Sequence, residues 1–423
     1  MDSGNTAFLL ISAAFVLFMT PGLAFFYGGM VRAKSVVSMM MLSFGSLGLV
    51  AVLWVLYGYA ISFARSSDGT FIGIPGWFGI NLGSVGLAAE TNSVLSGEQT
   101  GTPSLAFVAF QATFAIITVA LISGAIADRA KFGAWMLFAG IWATIVYFPV
   151  ANWVFNFGTD ATHSDGGWLV KMGMIDFAGG TAVHINAGAA GLALALVLGK
   201  RFGFAKGTIQ PHNVPLTLLG VAILWFGWFG FNAGSELAAD GTASIAFINT
   251  LSAPAAAMLG WIMVEKMKHG KATSIGAGSG AVAGLVAITP ACAILDPGWA
   301  IVLGLVSGAV CALAIELKYR FEVDDSLDVV GIHLVGGFLG TIFIGIFGRG
   351  VGLAFGNGVH QLWIQLLGSV AVLVYSFALA LIVGWLIEKT VGFRVATDAE
   401  IAGIDTVVHG EEAYAFGSEK YFR

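Results

Sequence analysis

Two histidines lie inside long apolar stretches of the chain, where an ionisable side chain is costly and usually functional. His184 lies in GGTAVHINA and His333 in DVVGIHLVGG, each a turn or so after its stretch begins. A neutral imidazole offers one donor and one acceptor, so a buried pair can hydrogen-bond to each other and to a small guest. Either histidine alone is as consistent with a packing residue near a helix end as with a functional residue, so the functional interpretation depends on the pair.

Other chemistry for the histidines is disfavoured by what surrounds them. No carboxylate or thiol joins them at ligand spacing, so we predict no metal site and no cofactor. No serine or cysteine nucleophile motif accompanies them at the same depth, which argues against an intramembrane hydrolase and against an enzyme in general.

Aromatic residues form the second group that could do chemistry. Phe110 and Phe114 stand one helical turn apart in FQATF. The stretch WFGWFGFNAGS at residues 225–235 brings several rings and the Ser235 hydroxyl toward one helix end. Aromatic belts at a membrane surface account for many such rings, Trp153 and Trp225 among them. A cluster at the mouth of a histidine-lined path is also suited to holding a cation.

The elements that position these residues are membrane spans, because 57% of the chain is hydrophobic and only 10% is charged. A bilayer core needs about 20 apolar residues per helix. Eleven blocks meet this need, near residues 6–29, 36–63, 104–127, 132–152, 180–199, 213–234, 243–264, 275–291, 298–317, 329–347 and 360–388. We predict an all-α membrane protein with a transmembrane domain over 1–388 and a tail over 389–423. The net charge of -5 offers no basic surface for nucleic acid.

The positive charges indicate how the chain is oriented in the membrane. An odd number of spans puts the two termini on opposite sides. Of the 19 Lys and Arg residues, only Arg65, Lys171 and Arg349 fall in one set of loops, and all others fall in the opposite loops and the tail. The positive-inside rule therefore predicts a multi-pass cell-membrane protein with its N-terminus outside and its tail in the cytoplasm.

A weak internal repeat links the two histidine stretches. FFYGG at 25–29 resembles FGFNAG at 229–234, and Asp176 with His184 resembles Asp328 with His333. Five spans separate the members of each pair. An odd offset predicts a five-plus-five inverted repeat, with the substrate path at the interface of the two halves.

Several longer strings are similar to one known family. DFAGGTAVHIN at 176–186, GWFGFNAGS at 227–235, TPAC at 289–292 and DDSLD at 324–328 resemble the ammonium transporter family, the Amt, Mep and Rh proteins, and its bacterial Amt type in particular. FYGG at 26–29 and the tail strings GFRV at 392–395 and HGEEAY at 409–414 do so too. The likeness covers essentially the whole chain.

The resemblance implies a homotrimer of eleven-helix subunits, each with its own pore, that recruits ammonium, deprotonates it and conducts ammonia into the cytoplasm. It implies a binding group at the outer mouth, a stacked gate, and a pore with a proton relay. The binding group comprises Ser235, Trp228, Phe155 and Phe110. The stacked gate is Phe114 with Phe231, and the pore with its proton relay comprises His184, His333 and Asp176.

One position departs from the family pattern, because Phe155 stands where a tryptophan usually lines the recruitment site. Trp153 is two residues away, in the wrong register to replace that ring. Two other functions stay open from the sequence, an ammonium sensor with little flux and a channel for another small polar solute. The basic inner loops and the tail suggest a PII-type nitrogen signal protein as a partner.

Overall fold

The computed structural model describes residues 2–65, 69–95, 101–158, 163–204 and 210–414. Within them, eleven helices are long and apolar enough to cross a membrane, as the sequence predicted. We label them α1 to α11: Ser3–Met30, Val36–Ser62, Ser104–Ile126, Phe132–Phe155, Gly180–Leu198, Val214–Gly234, Gly241–His269, Ser274–Ala291, Pro297–Arg320, Val330–Phe347 and His360–Thr390. The face where α1 begins is called the N-terminal face, and the opposite one the tail face.

Burial separates the central helices from the peripheral ones. In the most apolar window of α3, α5 and α8, 83% of residues are buried, against 33% in α11 and 39% in α2 and α9. A helix that is apolar all round and buried all round belongs to the interior of a bundle. Two of these central helices, α3 and α5, carry predicted site residues.

Close approach of α5 and α10 depends on glycines. A Cβ at Gly337 would lie 2.7 Å from the Gly180 carbonyl oxygen, and one at Gly188 would lie 2.5 Å from the Leu334 nitrogen. Contacts below 3 Å are not tolerated between packed atoms, so only small residues let these helices meet. Both helices begin with a π-helical turn, Gly180–Ile185 in α5 and Val330–Leu334 in α10.

The inverted repeat is visible at these two helix starts, with one correction to the sequence prediction. Asp176 accepts hydrogen bonds from the backbone at the start of α5. The carboxylate that does the same for α10 is Asp325, which accepts from the N–H groups of Val329 and Val330. Asp328, the predicted counterpart, forms an ion pair with Lys318 instead. Its backbone φ of 62° turns it away from a capping role.

The segment between α2 and α3 contains a small hairpin, which adds two short strands to the predicted all-α fold. Strands β1 (Phe71–Ile74) and β2 (Phe78–Asn81) pair antiparallel, with Phe71 opposite Asn81. A 3-10 segment over Leu82–Glu90 follows. Most of β1 is exposed, and Trp77 in the turn stacks on Trp168 at 4.6 Å between ring centroids.

The tail packs on the tail face after α11 ends. Arg394 forms an ion pair with the buried Glu400, and Asp405 accepts from the N–H groups of Val37 and Ser38 at the start of α2. The tail is therefore docked as far as residue 414. Residues 415–423 lie outside the described part of the chain, and with them the predicted inner charges Lys420 and Arg423, as does Lys206 in the α5–α6 loop.

Candidate functional site

His184 and His333 face each other in the interior, although their helices start from opposite faces. Their Nδ1 atoms are 3.2 Å apart and their ring centroids 5.3 Å apart. Both side chains are buried. One Nδ1 must carry the proton that the other accepts, so the pair holds one hydrogen bond between two neutral rings. Nε2 of His184 has no hydrogen-bond partner among the described residues.

A narrow lumen adjoins the two imidazoles. Its space for water-sized molecules is about 10 Å³, which is room for roughly one such molecule. Apart from the histidines its walls are apolar and come from five helices; they include Met19, Leu23, Ile117, Leu121, Leu224 and Val282. A small neutral molecule here meets the imidazole nitrogens as its only polar partners in the lining.

Two stacked phenylalanines close this lumen on the N-terminal side. The rings of Phe114 and Phe231 are 4.1 Å apart and nearly parallel, at 23°. Phe110 packs on Phe114 at 4.8 Å, and Phe155 meets Phe114 edge-on at 6.2 Å. Phe114 and Phe231 are each 1% exposed, so the stacked rings are buried. The structure thus brings four predicted residues together in one aromatic cluster, which is called the gate below after its predicted role.

Trp228 connects the gate to the histidines. Its ring stacks on His184 at 5.4 Å and lies 5.5 Å from Phe231. Its Nε1–H donates to Thr289 Oγ1 at 2.8 Å. Thr289 was not predicted as a site residue, because only the fold brings the end of α8 beside α6.

Ser235 lies just after α6, on the N-terminal side of the gate, and is half-buried. Its hydroxyl donates to the Phe231 carbonyl oxygen at 2.8 Å. The hydroxyl proton is thereby used, and the oxygen lone pairs stay able to accept from a cationic N–H group. This orientation suits a guest that donates hydrogen bonds.

Asp176 organises the first turn of α5. Its carboxylate accepts from the backbone N–H groups of Gly179, Gly180, Thr181 and Ala182, at 2.7 to 3.1 Å. Burial raises the pKa of this carboxyl, and the four hydrogen bonds oppose that rise. Both oxygens are fully engaged, which makes Asp176 a fixed negative group that holds the His184 turn in place.

Trp153 lies away from the gate. Its indole N–H donates to the Trp77 carbonyl oxygen, and its ring packs on Tyr375 and Trp168 at 4.7 and 5.7 Å. This residue belongs to an aromatic cluster beneath the hairpin. Phe155, two residues later, is the ring of α4 that contacts the gate.

Among the residues that the structure describes, no group of three or more His, Cys, Asp or Glu side chains is placed to hold a metal ion. Cys292 and Cys311 are buried free thiols, and burial raises the pKa of Cys292 well above its ordinary value. The chemistry of the site therefore lies in imidazole, hydroxyl and aromatic groups.

Comparison with known proteins decides the family. The model of the Ammonium Transporter Family matches residues 7–414. The chain belongs to the ammonium transporter family. This transporter is a multi-pass membrane protein rather than an enzyme, and ammonium or ammonia is its substrate.

Individual relatives agree with this assignment. The transporter is 51% identical to an ammonium transporter of Mycobacterium tuberculosis, over 98% of this chain and 91% of the relative. It resembles the crystal structure of Saccharomyces cerevisiae Mep2 with a TM-score of 0.83 and 32% identity, covering 94% of this chain and 91% of that one. A structure described as a Sensor Amt Protein gives a TM-score of 0.86 at 28% identity, over 96% and 98% of the two chains.

Proposed function

We propose that this transporter recruits ammonium at its outer mouth, deprotonates it, and conducts ammonia along the two histidines into the cytoplasm. Ser235, with the rings of Phe110 and Phe155, receives the cation. Trp228, which the sequence placed at the outer mouth, instead lines the lumen beyond the gate, where its ring stacks on His184. The stacked pair Phe114 and Phe231 opens to admit it. The proton leaves before the molecule enters the narrow lumen, and it is regained on the cytoplasmic side.

Electrostatics supports deprotonation over passage of the ion. Moving a bare small cation into a dry, apolar lumen costs tens of kcal/mol by the Born estimate. One desolvated cation-π contact returns only about 2 kcal/mol. Potassium meets this barrier with no way around it, whereas ammonium can surrender a proton and continue as a neutral amine.

The observation that carries the proposal is the Nε2 atom of His184, buried beside the lumen without a partner. A buried polar atom left unpaired costs about 1–3 kcal/mol, and it is expected where a passing molecule supplies the bond. With Nδ1 bound to His333, His184 has one nitrogen for its neighbour and one for a guest. Imidazole is also the side chain best suited to relay a proton near neutral pH.

Asp176 supports this path through position and charge. Its four backbone hydrogen bonds fix the turn that presents His184, and its negative charge favours a cation held near the gate. We assign it an ordering role and an electrostatic role. The proton acceptor itself is a relay that includes the histidines or water.

Orientation and assembly belong to the same proposal. The excess of positive charge in the tail-face loops supports a cytoplasmic tail and an outer gate. Membership of the ammonium transporter family supports a homotrimer. The docked tail and the basic loops support a PII-type protein as a cytoplasmic partner.

A sensor with little flux is the second candidate, and the likeness to the Sensor Amt Protein favours keeping it. The two chains cover each other almost completely, so the shared fold does not separate signalling from transport. A channel for another small solute, such as urea or water, is the third. The lone pairs of Ser235 and the aromatic faces favour a donor-bearing cation over both solutes.

Proteoliposomes containing the purified protein separate these candidates. We expect an inward ammonium gradient to change the internal pH, with potassium producing neither current nor pH change. A current with the pH change indicates that the proton follows the ammonia, and a pH change without current indicates passive ammonia conduction. Swelling by urea or water without any response to ammonium would overturn the proposal, and ammonium binding without flux would leave the sensor.

The partner proposal has its own test. We expect the host PII protein to copurify with the full chain, and to be lost from a chain that ends near Lys389. Equal recovery from both chains would count against involvement of the tail.

A further inference from the structure

A groove opens on the flank of the helix bundle between α2 and α4, away from the pore. Its volume is about 410 Å³. The lining includes Leu49, Leu53, Tyr57, Met136, Gly140 and Thr144, and it contains no charged side chain. Val52, Leu56 and Leu137 expose apolar side chains on the same two helices. Since such faces of a membrane protein meet lipid, the groove opens toward acyl chains.

One end of this groove is polar, and the direction of its hydrogen bonds can be worked out. Thr144 Oγ1 donates its proton to the Gly140 carbonyl oxygen at 2.8 Å. Tyr57 Oη lies 3.0 Å from Thr144 Oγ1. Because the threonine proton is already used, the tyrosine must be the donor of this second bond. The free capacity of the pair is then the remaining lone pairs on Tyr57 and Thr144, which accept from an O–H group and cannot bind a carbonyl.

The two hydroxyls belong to unusual backbone. Tyr57 lies in the π-helical turn Trp54–Gly58 of α2, and Thr144 lies in the π-helical turn Ala143–Tyr147 of α4. Single π-helical turns inside α-helices are rare and are frequent at functional sites. Here two of them meet at the polar end of one groove. Gly140 leaves the floor open, because a Cβ there would lie 3.5 Å from the nearest Leu49 carbon.

The polarity of the groove matches that of a lipid. Tyr57 is five residues before the end of α2 at Ser62, which is about 7.5 Å at 1.5 Å per residue. The aliphatic end at Leu49 and Met136 lies farther from the N-terminal face, where α2 and α4 both end. A molecule with a hydroxyl near the membrane surface and an acyl chain below it satisfies both ends. The uncharged lining offers nothing to a phosphate head group.

We propose that the α2–α4 groove is a binding site for a neutral membrane lipid that carries a free hydroxyl, of the diacylglycerol type. The hydroxyl donates to Tyr57, and one acyl chain lies along Leu53, Leu49 and Met136. The site is separate from the ammonium pore, and nothing in it depends on the transport mechanism.

Two photoactivatable probes test the hydroxyl requirement on the unaltered protein. One is a diacylglycerol with a diazirine in its acyl chain, and the other is the same molecule with its hydroxyl capped as a methyl ether. The full chain is labelled in nanodiscs, and cross-linked peptides are mapped by mass spectrometry. We expect residues 49–57 and 136–145 to be labelled about fivefold more by the free hydroxyl probe, the scale of one buried hydrogen bond. Equal labelling by the two probes would overturn the proposal.

Substitutions test the groove itself. Gly140→Leu places a side chain across the floor and is expected to reduce labelling by about tenfold. Gly48→Leu adds the same side chain on α2 where a Cβ meets nothing within 4 Å, and it is the matched control. Tyr57→Phe is expected to make the two probes equivalent. Equal labelling in the two leucine variants, or a retained preference in Tyr57→Phe, would refute the site.

Discussion

The starts of α5 and α10 each present a pore histidine on a π-helical turn, yet the surroundings of the two turns differ. Asp176 and Asp325 each stand eight residues before a pore histidine and accept from the N–H groups that follow. Asp176 accepts four such bonds, and no basic side chain lies within 4 Å of it in the described chain. Asp325 accepts from two N–H groups and lies beside the ion pair of Lys318 with Asp328.

The tail-face copy is also joined to a buried charge network. Arg201 pairs with Asp128 and Asp324, and Arg129 donates to Ser326, the residue after Asp325. Arg394 and Glu400 continue this network into the tail. The repeat thus supplies one pore half twice, and within the described residues only the tail-face half is connected by charges to the loops and the tail.

The sharpest test of this difference replaces each capping carboxylate with its amide. Asp176→Asn leaves two of four N–H groups facing an NH₂ group, and each unpaired buried donor costs about 1–3 kcal/mol. We expect ammonium flux to fall about 100-fold, as small misplacements in a reacting site can cause. Asp325→Asn loses one of two bonds, so a fall of about tenfold is expected. Initial rates in proteoliposomes measure both, and equal losses would break the comparison.

The difference in ammonium flux between the parent and Asp325→Asn is expected to depend on pH. Burial, followed by the charge of Asp328, raises the pKa of Asp325 to about 6. Below that pH the parent carboxyl is protonated and resembles the amide, so the difference between parent and Asp325→Asn should shrink between pH 7 and pH 5. A difference that is constant over this range contradicts a pKa of Asp325 near 6.

Stability of the charge network gives the next largest effect. Arg201→Met leaves Asp128 and Asp324 buried without their main partner, which is expected to cost about 3–5 kcal/mol of unfolding free energy. Lys200→Met is the matched control, since Lys200 pairs with the exposed Glu322 and a surface pair contributes about 0–1 kcal/mol. Thermal unfolding in detergent measures both variants.

Acidification is expected to change the stability of the parent and of Arg201→Met in opposite directions. Burial favours a raised pKa for Asp324, but the hydrogen bonds and charge of Arg201 lower it below its ordinary value. The parent therefore keeps this stabilisation above about pH 4 and loses it as pH falls through the lowered pKa. In Arg201→Met the unpaired carboxyl has a raised pKa, so acidification relieves the defect. A variant that loses stability in parallel with the parent would contradict a buried, ionised Asp324.

The sequence could reveal features formed by residues that are close together in the chain, and it could not reveal most features formed by distant residues. All eleven helices were predicted, because a span needs only a long apolar run. The facing histidines were expected from the apolar stretches that hold them and from the internal repeat. The stacked pair Phe114 and Phe231 was expected only through family resemblance, since the two residues are 117 positions apart. Asp325 was open to detection, because its eight-residue spacing to His333 equals that of Asp176 to His184. The roles of Thr289 and of the Arg201 network could not be predicted, although Thr289 lies in the family string TPAC, because their partners come from distant helices and loops.

Thr289 tests the support of the gate on the N-terminal side. Thr289→Val keeps the shape of the side chain but removes the acceptor of the Trp228 N–H. The Trp228 ring, which stacks on both His184 and Phe231, then loses its anchor, and we expect flux to fall about three- to tenfold. Thr341→Val is the control, because its hydroxyl makes only a long 3.4 Å contact with Thr181. Equal fluxes in the two variants would remove Thr289 from the site.

The smallest expected effect belongs to Phe155. Phe155→Trp offers a better cation-π face. Because the difference between two aromatic rings is only a fraction of the roughly 0.5–2 kcal/mol of a whole cation-π contact, apparent affinity should tighten by a few-fold at most. Phe155→Leu should weaken it, with little change in flux at saturation for either variant. Concentration-dependent currents give the half-saturation values. If all three proteins share one value, Phe155 only packs against Phe114.

The central claim is that the histidine pair lets ammonia pass and excludes ions, and it is tested most directly by removing each imidazole. Currents of ammonium and of potassium are compared in proteoliposomes for the parent, His184→Ala and His333→Ala, after each is shown to assemble as the parent does. We predict that each substitution abolishes ammonium flux or lets potassium carry current as well. Ammonium-selective currents at the parental level in both variants would contradict the account.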